Sequence, residues 1–193
     1  MVDRKARRDE LIDAALDIVA EDGFGALSVR TVAARTGVSI GTVQYWFPTK
    51  ESLLVAAFES VVERVTARLV GGRGRSGEDA VRTFLAALLP LDATRTVEAR
   101  VMVAFAAAAV TDPSLAAVQH RTLSGVREEL SACLAGLKGE ARPSAATRRR
   151  AALVLAAVDG LALHAVSASA GTTGAELRRQ LDAVVALAVD PAP

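Results

Sequence analysis

"GVSIGTVQYWFPTKESL", residues Gly37–Leu53, holds the single Tyr and the single Trp of a 193-residue chain. Tyr45, Trp46 and Phe47 stand in a row although the chain is only 4% aromatic. In a helix-turn-helix, two short helices pack closely at a steep angle, which asks for a small residue inside the first and a glycine at the turn. Ala33 and Gly37 supply both, with apolar Val32, Val38 and Val43 around them. Ser39 is placed to cap the next helix. At about 100° per residue, Ile40, Val43 and Phe47 share one side of that helix, the side expected to face inward. Thr42 and Tyr45 point the opposite way with the bare backbone of Gly41, and Gln44 and Trp46 lie on the flanks. Between Ser28 and Lys50 the charged residues are Arg30, Arg35 and Lys50, with no acid among them. Such a face suits a DNA groove: hydroxyl and indole groups can donate to phosphates, and a glutamine can read a base edge.

Outward from this stretch, helical signals recur and no alternating strand pattern stands out, which predicts an all-α protein. Leu11, Ile12, Ala15, Leu16 and Val19 repeat as one helix face, with Gly23 placed to end it. Ser28 caps a short helix to about Arg35, Ser39 a third, and Thr49 a long one reaching about Val70. "GGRGRSG" (71–77) reads as a connector. Five further helices are expected: one from a capping-box pair Ser76/Asp79 to Pro90, one from about Asp92 to Val110, and one starting at Asp112–Pro113. The last two run from Ser144 to about Ser167 and from a Thr173/Glu176 capping box to about Val189. Nine helices result.

Composition sets the limits. Half of the residues are hydrophobic and 23% are charged, as in ordered globular proteins. A net charge of +1 says nothing by itself about a polyanionic partner. Arg4, Lys5, Arg7 and Arg8 form a basic tip diluted by Asp3, Asp9 and Glu10. One cysteine, Cys133, cannot form an internal disulfide, which fits a reducing cytoplasm. The start of the chain lacks a signal-peptide pattern. The apolar run Val101–Val110 is about half the roughly 20 residues that span a bilayer, and Asp159 and His164 interrupt Ala151–Val166.

"LSVRTVAARTGVSIGTVQYWFPTKESLL" (Leu27–Leu54) resembles the DNA-binding segment of the TetR family of bacterial transcriptional repressors, whose usual form is close to "G-V-S-x-G-T-L-Y-Y-H-F-P-S-K-E-x-L". Gly37, Val38, Ser39, Gly41, Thr42, Tyr45, Phe47, Lys50, Glu51 and Leu53 match it. Val43, Gln44, Trp46 and Thr49 depart from it. The resemblance implies nine helices, a helix-turn-helix domain over residues 1–48 and a ligand-binding and dimerisation domain over 49–193. It implies phosphate contacts from Thr42, Tyr45, Trp46 and Lys50, the last at a helix start where the dipole also favours a phosphate. Arg30 and Gln44 are the base-reading candidates, Gly41 lets the backbone approach, and Thr31 and Ser39 complete the expected DNA face.

"LDATRTVEARVMVAFAAAAVTDPSLAAV" (91–118) and "VDGLALHAV" (158–166) are similar to the C-terminal domain of the subgroup that includes the betaine-pathway repressor. In that family the last two helices form the dimer interface. "RRAALVLAAVDGLALHAV" (149–166) is apolar nearly all round and needs burial on most sides. Leu161 on this helix, and Leu177, Leu181, Val184, Val185 and Ala188 on the last, are the interface candidates. Phe84, Leu88, Met102 and Phe105 are candidates for an effector pocket, for which the Met and Phe suggest a largely apolar small molecule. Asp159 and His164 join them as polar intruders on an apolar helix. Five residues apart, the two point about 140° away from each other, which argues against a metal pair or a catalytic dyad. No cofactor or metal is implied.

The expected function is a cytoplasmic, homodimeric repressor that binds a pseudo-palindromic operator and is released by a small-molecule effector. One alternative keeps the DNA binding and gives the second domain a protein partner in place of a ligand. Another is a small enzyme using Cys133, His164 and Asp159, against which no local motif surrounds Cys133.

Overall fold

The computed structural model describes residues 4–71, 75–167 and 172–189. Among them the chain forms nine α-helices: α1 (Arg4–Asp22), α2 (Val29–Thr36), α3 (Ile40–Trp46), α4 (Lys50–Gly71), α5 (Gly77–Ala87), α6 (Ala93–Ala109), α7 (Pro113–Leu137), α8 (Ala145–Ser167) and α9 (Gly174–Val189). A 3₁₀ turn at Phe24–Ala26, which no sequence signal announced, links α1 to α2. Residues 72–74 of the expected connector lie outside the described residues.

Most helix starts follow the chemistry of their caps. Thr49 Oγ1 accepts from the Ser52 backbone N–H at 3.1 Å, and Asp92 Oδ1 from that of Arg95 at 2.8 Å. Asp112 Oδ1 takes the N–H groups of Ser114 and Leu115 at 2.8 and 3.3 Å, ahead of Pro113 in the first turn of α7. Two expected capping boxes are not completed. Ser76 makes no side-chain cap bond, and α5 begins with Glu78 and Asp79 in its first turn instead. Thr173 does accept the Glu176 N–H at 3.1 Å, but the Glu176 carboxylate turns forward to Arg179. There a nearby guanidinium competes successfully with the backbone N–H.

By packing, the chain divides into two compact units, residues 1–63 with 100–116 and residues 64–99 with 117–193. The expected 48/49 boundary separates roles, whereas these divisions fall inside α4, α6 and α7. In the first unit Leu11, Ala15, Val32, Val43, Leu54 and Phe58 are fully buried or nearly so. Phe58 stacks on Phe105, with ring centroids 3.9 Å apart and planes at 17°. Arg100 donates to the Ala20 carbonyl at 2.7 Å, satisfying one of the acceptors left over at the end of α1.

In the second unit a single apolar cluster joins α5, α7, α8 and α9 through Leu85, Leu130, Leu134, Val158, Leu181 and Val185. Glu98 is buried there at 4% side-chain exposure, and Arg68 grips both of its carboxylate oxygens. Left unpaired, a carboxylate so placed would cost several kcal/mol, so the bidentate guanidinium is what permits it.

Candidate nucleic-acid interface

Two caps and one glycine set the orientation of α3. Ser28 Oγ accepts the Thr31 N–H at 3.1 Å while Thr31 Oγ1 accepts the Ser28 N–H at 2.9 Å, a reciprocal box that starts α2. Gly37 ends α2 at φ 68°, a left-handed conformation that costs a glycine little, and the Val38 N–H returns to the Ala33 carbonyl at 3.1 Å. Ser39 Oγ then accepts the Thr42 N–H at 3.1 Å and opens α3. Val43 is fully buried and Phe47 is 4% exposed, as the inward stripe requires. Ile40, expected beside them, is 46% exposed. It lies in the opening turn of α3, so only the later part of the stripe reaches the core.

On the outer side, Arg30, Gly41, Gln44 and Tyr45 are exposed, and Tyr45 is the most open aromatic at 65%. Trp46 is half-buried with its ring edge-on to Tyr45, centroids 5.1 Å apart at 86°. Thr42 is half-buried, with its hydroxyl 2.9 Å from that of Ser39. Thr31 donates its hydroxyl to the Ala26 carbonyl at 2.9 Å, so Thr31 and Ser39 both serve helix starts in this state of the molecule. A Cβ built on Gly41 would meet only Ser39 Oγ, at 3.8 Å, an ordinary contact. Among the described residues nothing therefore demands a glycine at position 41.

The charges of this face divide into occupied and open ones. Arg35 pairs with Glu21 at 3.0 Å and Asp22 at 3.5 Å, both from α1, so the acid-free stretch is partly neutralised from elsewhere in the chain. The Lys50 ammonium donates to the Gly25 carbonyl at 3.3 Å and stands 4.1 Å from the centroid of the Phe24 ring. Arg30 carries no side-chain partner among the described residues. Two further cations come from α1, which the sequence reading did not connect to this face. Arg4 donates to the Tyr45 hydroxyl, and the Arg8 guanidinium lies 5.7 Å from the Phe47 centroid. Their signal was the i, i+4 spacing of Arg4 and Arg8, which puts both on one side of α1.

The remaining candidates divide between the two units. Phe84 and Leu88 belong to the second unit, Met102 and Phe105 to the first, and Phe105 is buried against Phe58. Asp159 and His164 are both exposed. Apolar surroundings nonetheless raise the Asp159 carboxyl above its usual range. Burial likewise raises the Cys133 thiol, the wrong direction for a nucleophile, and no group of His, Cys, Asp and Glu fit to hold a metal occurs among the described residues.

Leu177, Leu181, Val184, Val185 and Ala188, expected between chains, instead pack into the core of their own chain, and Leu161 is half-buried against the same cluster. The apolar side chains that α8 and α9 turn outward are Leu153 (73% exposed), Leu163 and Leu187 (64%). They stand among exposed Ala156, Ala157, Ala183 and Ala186. Between them runs a groove of about 410 Å³ lined by Leu153, Ala157, Val184 and Leu187 and flanked by Arg149 and Arg150. Helix α8 is long and apolar enough, by length and composition alone, to cross a membrane, and only 22% of its most apolar stretch is buried.

Comparison with known proteins agrees with this layout. Residues 11–57 match the family described as bacterial regulatory proteins of the tetR family, and residues 77–190 match the C-terminal domain of BetI-type transcriptional repressors. The transcriptional regulator BetI of Paraburkholderia xenovorans is 30% identical over 93% of this chain and 92% of its own length. A transcriptional regulator from a Rhodococcus species, known by crystal structure, is 40% identical with a TM-score of 0.85, covering 96% of this chain and 99% of that one. A regulator from Saccharomonospora viridis, solved in complex with choline, shares the fold at a TM-score of 0.84 but only 16% of its sequence, over 94% and 96% of the two chains. The chain belongs to the TetR family of bacterial transcriptional regulators and is a DNA-binding regulator of transcription with a BetI-type C-terminal domain.

Proposed function

We propose that the protein represses transcription as a two-fold dimer, laying one α3 in each of two operator half-sites, and leaves the DNA when a small apolar molecule binds its second unit. The observation that carries the DNA face is the split of α3 into an apolar inner side and an outer side of Gln44, Tyr45 and open Gly41. On this reading Tyr45, Thr42, Trp46 and Lys50 hold phosphates, for which Lys50 must leave the Gly25 carbonyl. Arg30 and Gln44 reach base edges, and Gly41 admits the DNA backbone. Thr31 and Ser39 hold the two helices in place. A regulator of this kind works on chromosomal DNA and hence in the cytoplasm.

The dimer is supported by the outward face of α8 and α9. An exposed Leu153 and Leu187 beside a row of alanines is an apolar surface of the sort that a second copy covers in a self-complementary contact. A dimer of that kind sets its two recognition helices about one DNA turn, roughly 34 Å, or more apart.

An apolar effector is supported by what the second unit offers. Phe84 is the single aromatic residue in 64–99 and 117–193, so that unit alone cannot surround a quaternary ammonium with ring faces. Its buried acid, Glu98, is already held by Arg68. Release demands that the effector bind the DNA-free state more tightly, and DNA must then weaken effector binding by the same factor.

Selection of bound duplexes from a random pool tests the reading. It predicts a consensus of two half-sites related by a two-fold axis, one dimer per duplex. A single unrepeated site bound by a monomer would overturn it.

A further inference from the structure

The first turn of α1 carries a cation that the helix-turn-helix reading leaves unused. Arg4 donates from Nη2 to the Tyr45 hydroxyl across 41 residues of chain, and its guanidinium carbon lies 5.9 Å from the Tyr45 centroid and 5.7 Å from the Trp46 centroid. Both distances are within the range at which a ring quadrupole attracts a cation. Two other arginines near this face are neutralised: Arg7 by Glu10 at 2.6 Å and Arg35 by Glu21 and Asp22. Arg4 has no acidic partner among the described residues.

The chemistry of the bond gives it a direction. A phenol has one hydrogen to donate, and a guanidinium can only donate. With Arg4 as donor, the Tyr45 oxygen is the acceptor, so the hydroxyl hydrogen turns away from Arg4 and stays free. Arg4 spends one N–H on the hydroxyl and keeps the rest of its fork. The pair thus presents an O–H and several N–H donors side by side with a net positive charge on an exposed surface. An anion with several acceptor oxygens, such as a DNA phosphate, matches that set.

We propose that Arg4 is a DNA-phosphate ligand that shares one phosphate with the Tyr45 hydroxyl and holds that hydroxyl in its donating orientation. The proposal rests on the reading of α3 as the DNA-facing helix. It makes the start of α1 part of the interface and gives the Tyr45–Trp46 pair a second task, that of seating the guanidinium.

The test uses the full chain, titrated against a selected duplex and a scrambled one at several salt concentrations. Arg4 is exposed at a helix start, so its substitution leaves the fold in place, which circular dichroism verifies. Arg4→Ala should weaken binding to both duplexes alike. It should also lower the log–log salt slope by about 0.9 per phosphate lost, near two for a dimer engaged on both half-sites. Arg4→Lys, which keeps the charge, should keep most of that slope. The Arg4→Ala/Tyr45→Phe double variant should lose less than the product of the two single losses, because without Arg4 the hydroxyl is no longer aimed. Losses that multiply would overturn the shared phosphate. An Arg4→Ala protein with unchanged or tighter binding, while Lys50→Ala and Tyr45→Phe both weaken it, would overturn the proposal and leave the α3 reading standing. If none of the three weakened binding, the α3 reading itself would fall.

Discussion

Past the opening turn of α3, through its C-cap, the outward Gln44 and Tyr45 differ in chemical kind from the inward Val43 and Phe47. On α8 and α9 outward and inward residues do not. Leu155, Val158 and Leu181 face the core, and Leu153, Ala157 and Leu187 face out. A polar partner such as DNA writes its surface into the sequence as a break in hydrophobic period. An apolar partner, whether a second copy or an effector, selects the same residue types as the core, so periodicity cannot separate the two.

The largest effect should come from confusing those two faces deliberately. Leu181→Glu buries an unpaired charge in the α5–α9 core and should cost on the order of 4 kcal/mol, read as a collapsed thermal transition. Leu153→Glu, on the same unit but outward, should keep full helical circular dichroism while the protein sediments as a monomer. Unfolding by both substitutions would mean that α8 has no free outer face.

Gly41→Ala sharpens the contrast from the other side. The added Cβ meets ordinary space and an ordinary helical backbone, so the fold should gain about 0.5–1 kcal/mol. Operator binding should nevertheless weaken, because the methyl group stands where the DNA backbone approaches. A more stable protein with undiminished affinity would remove Gly41 from the interface.

Acid should act on both compact units alike, and weakly. Backbone and side-chain hydrogen bonds from Arg95 hold Asp92 below its usual range, and bonds from Ser114 and the Leu115 N–H do the same for Asp112. A carboxylate whose folded pKa is depressed adds stability above its unfolded pKa, near 4, and loses it as pH falls through the lower folded value. Stability measured by urea melts should decline from about pH 5 downward. Asp112→Asn, which keeps a capping oxygen without the charge, should make that decline slightly shallower.

The sequence was read well where local chemistry decides. Ser28, Gly37 and Ser39 announce the helix-turn-helix, and Asp112–Pro113 announces α7, because caps and turns are short-range devices. It was read less well where distant segments meet. Nothing near Arg35 shows that Glu21 and Asp22 neutralise it, nor does anything near Tyr45 show that Arg4 reaches its hydroxyl. A helical wheel places Ile40 inward but carries no information on where the neighbouring helices stop, and Ile40 stands 46% exposed. Leu177, Leu181, Val184, Val185 and Ala188 formed a true apolar stripe, but the stripe faces α5 and α8 of its own chain.

Whether the outer face of α3 reads sequence is tested most directly by one titration. Wild-type and Gln44→Ala proteins are measured against the selected operator and a scrambled duplex under the same salt. A base-edge contact predicts a loss of about 1–3 kcal/mol per half-site on the operator and little change on the scrambled duplex, so that discrimination collapses. Equal weakening on both duplexes would contradict it, leaving specificity to Arg30 or to the shape of the DNA.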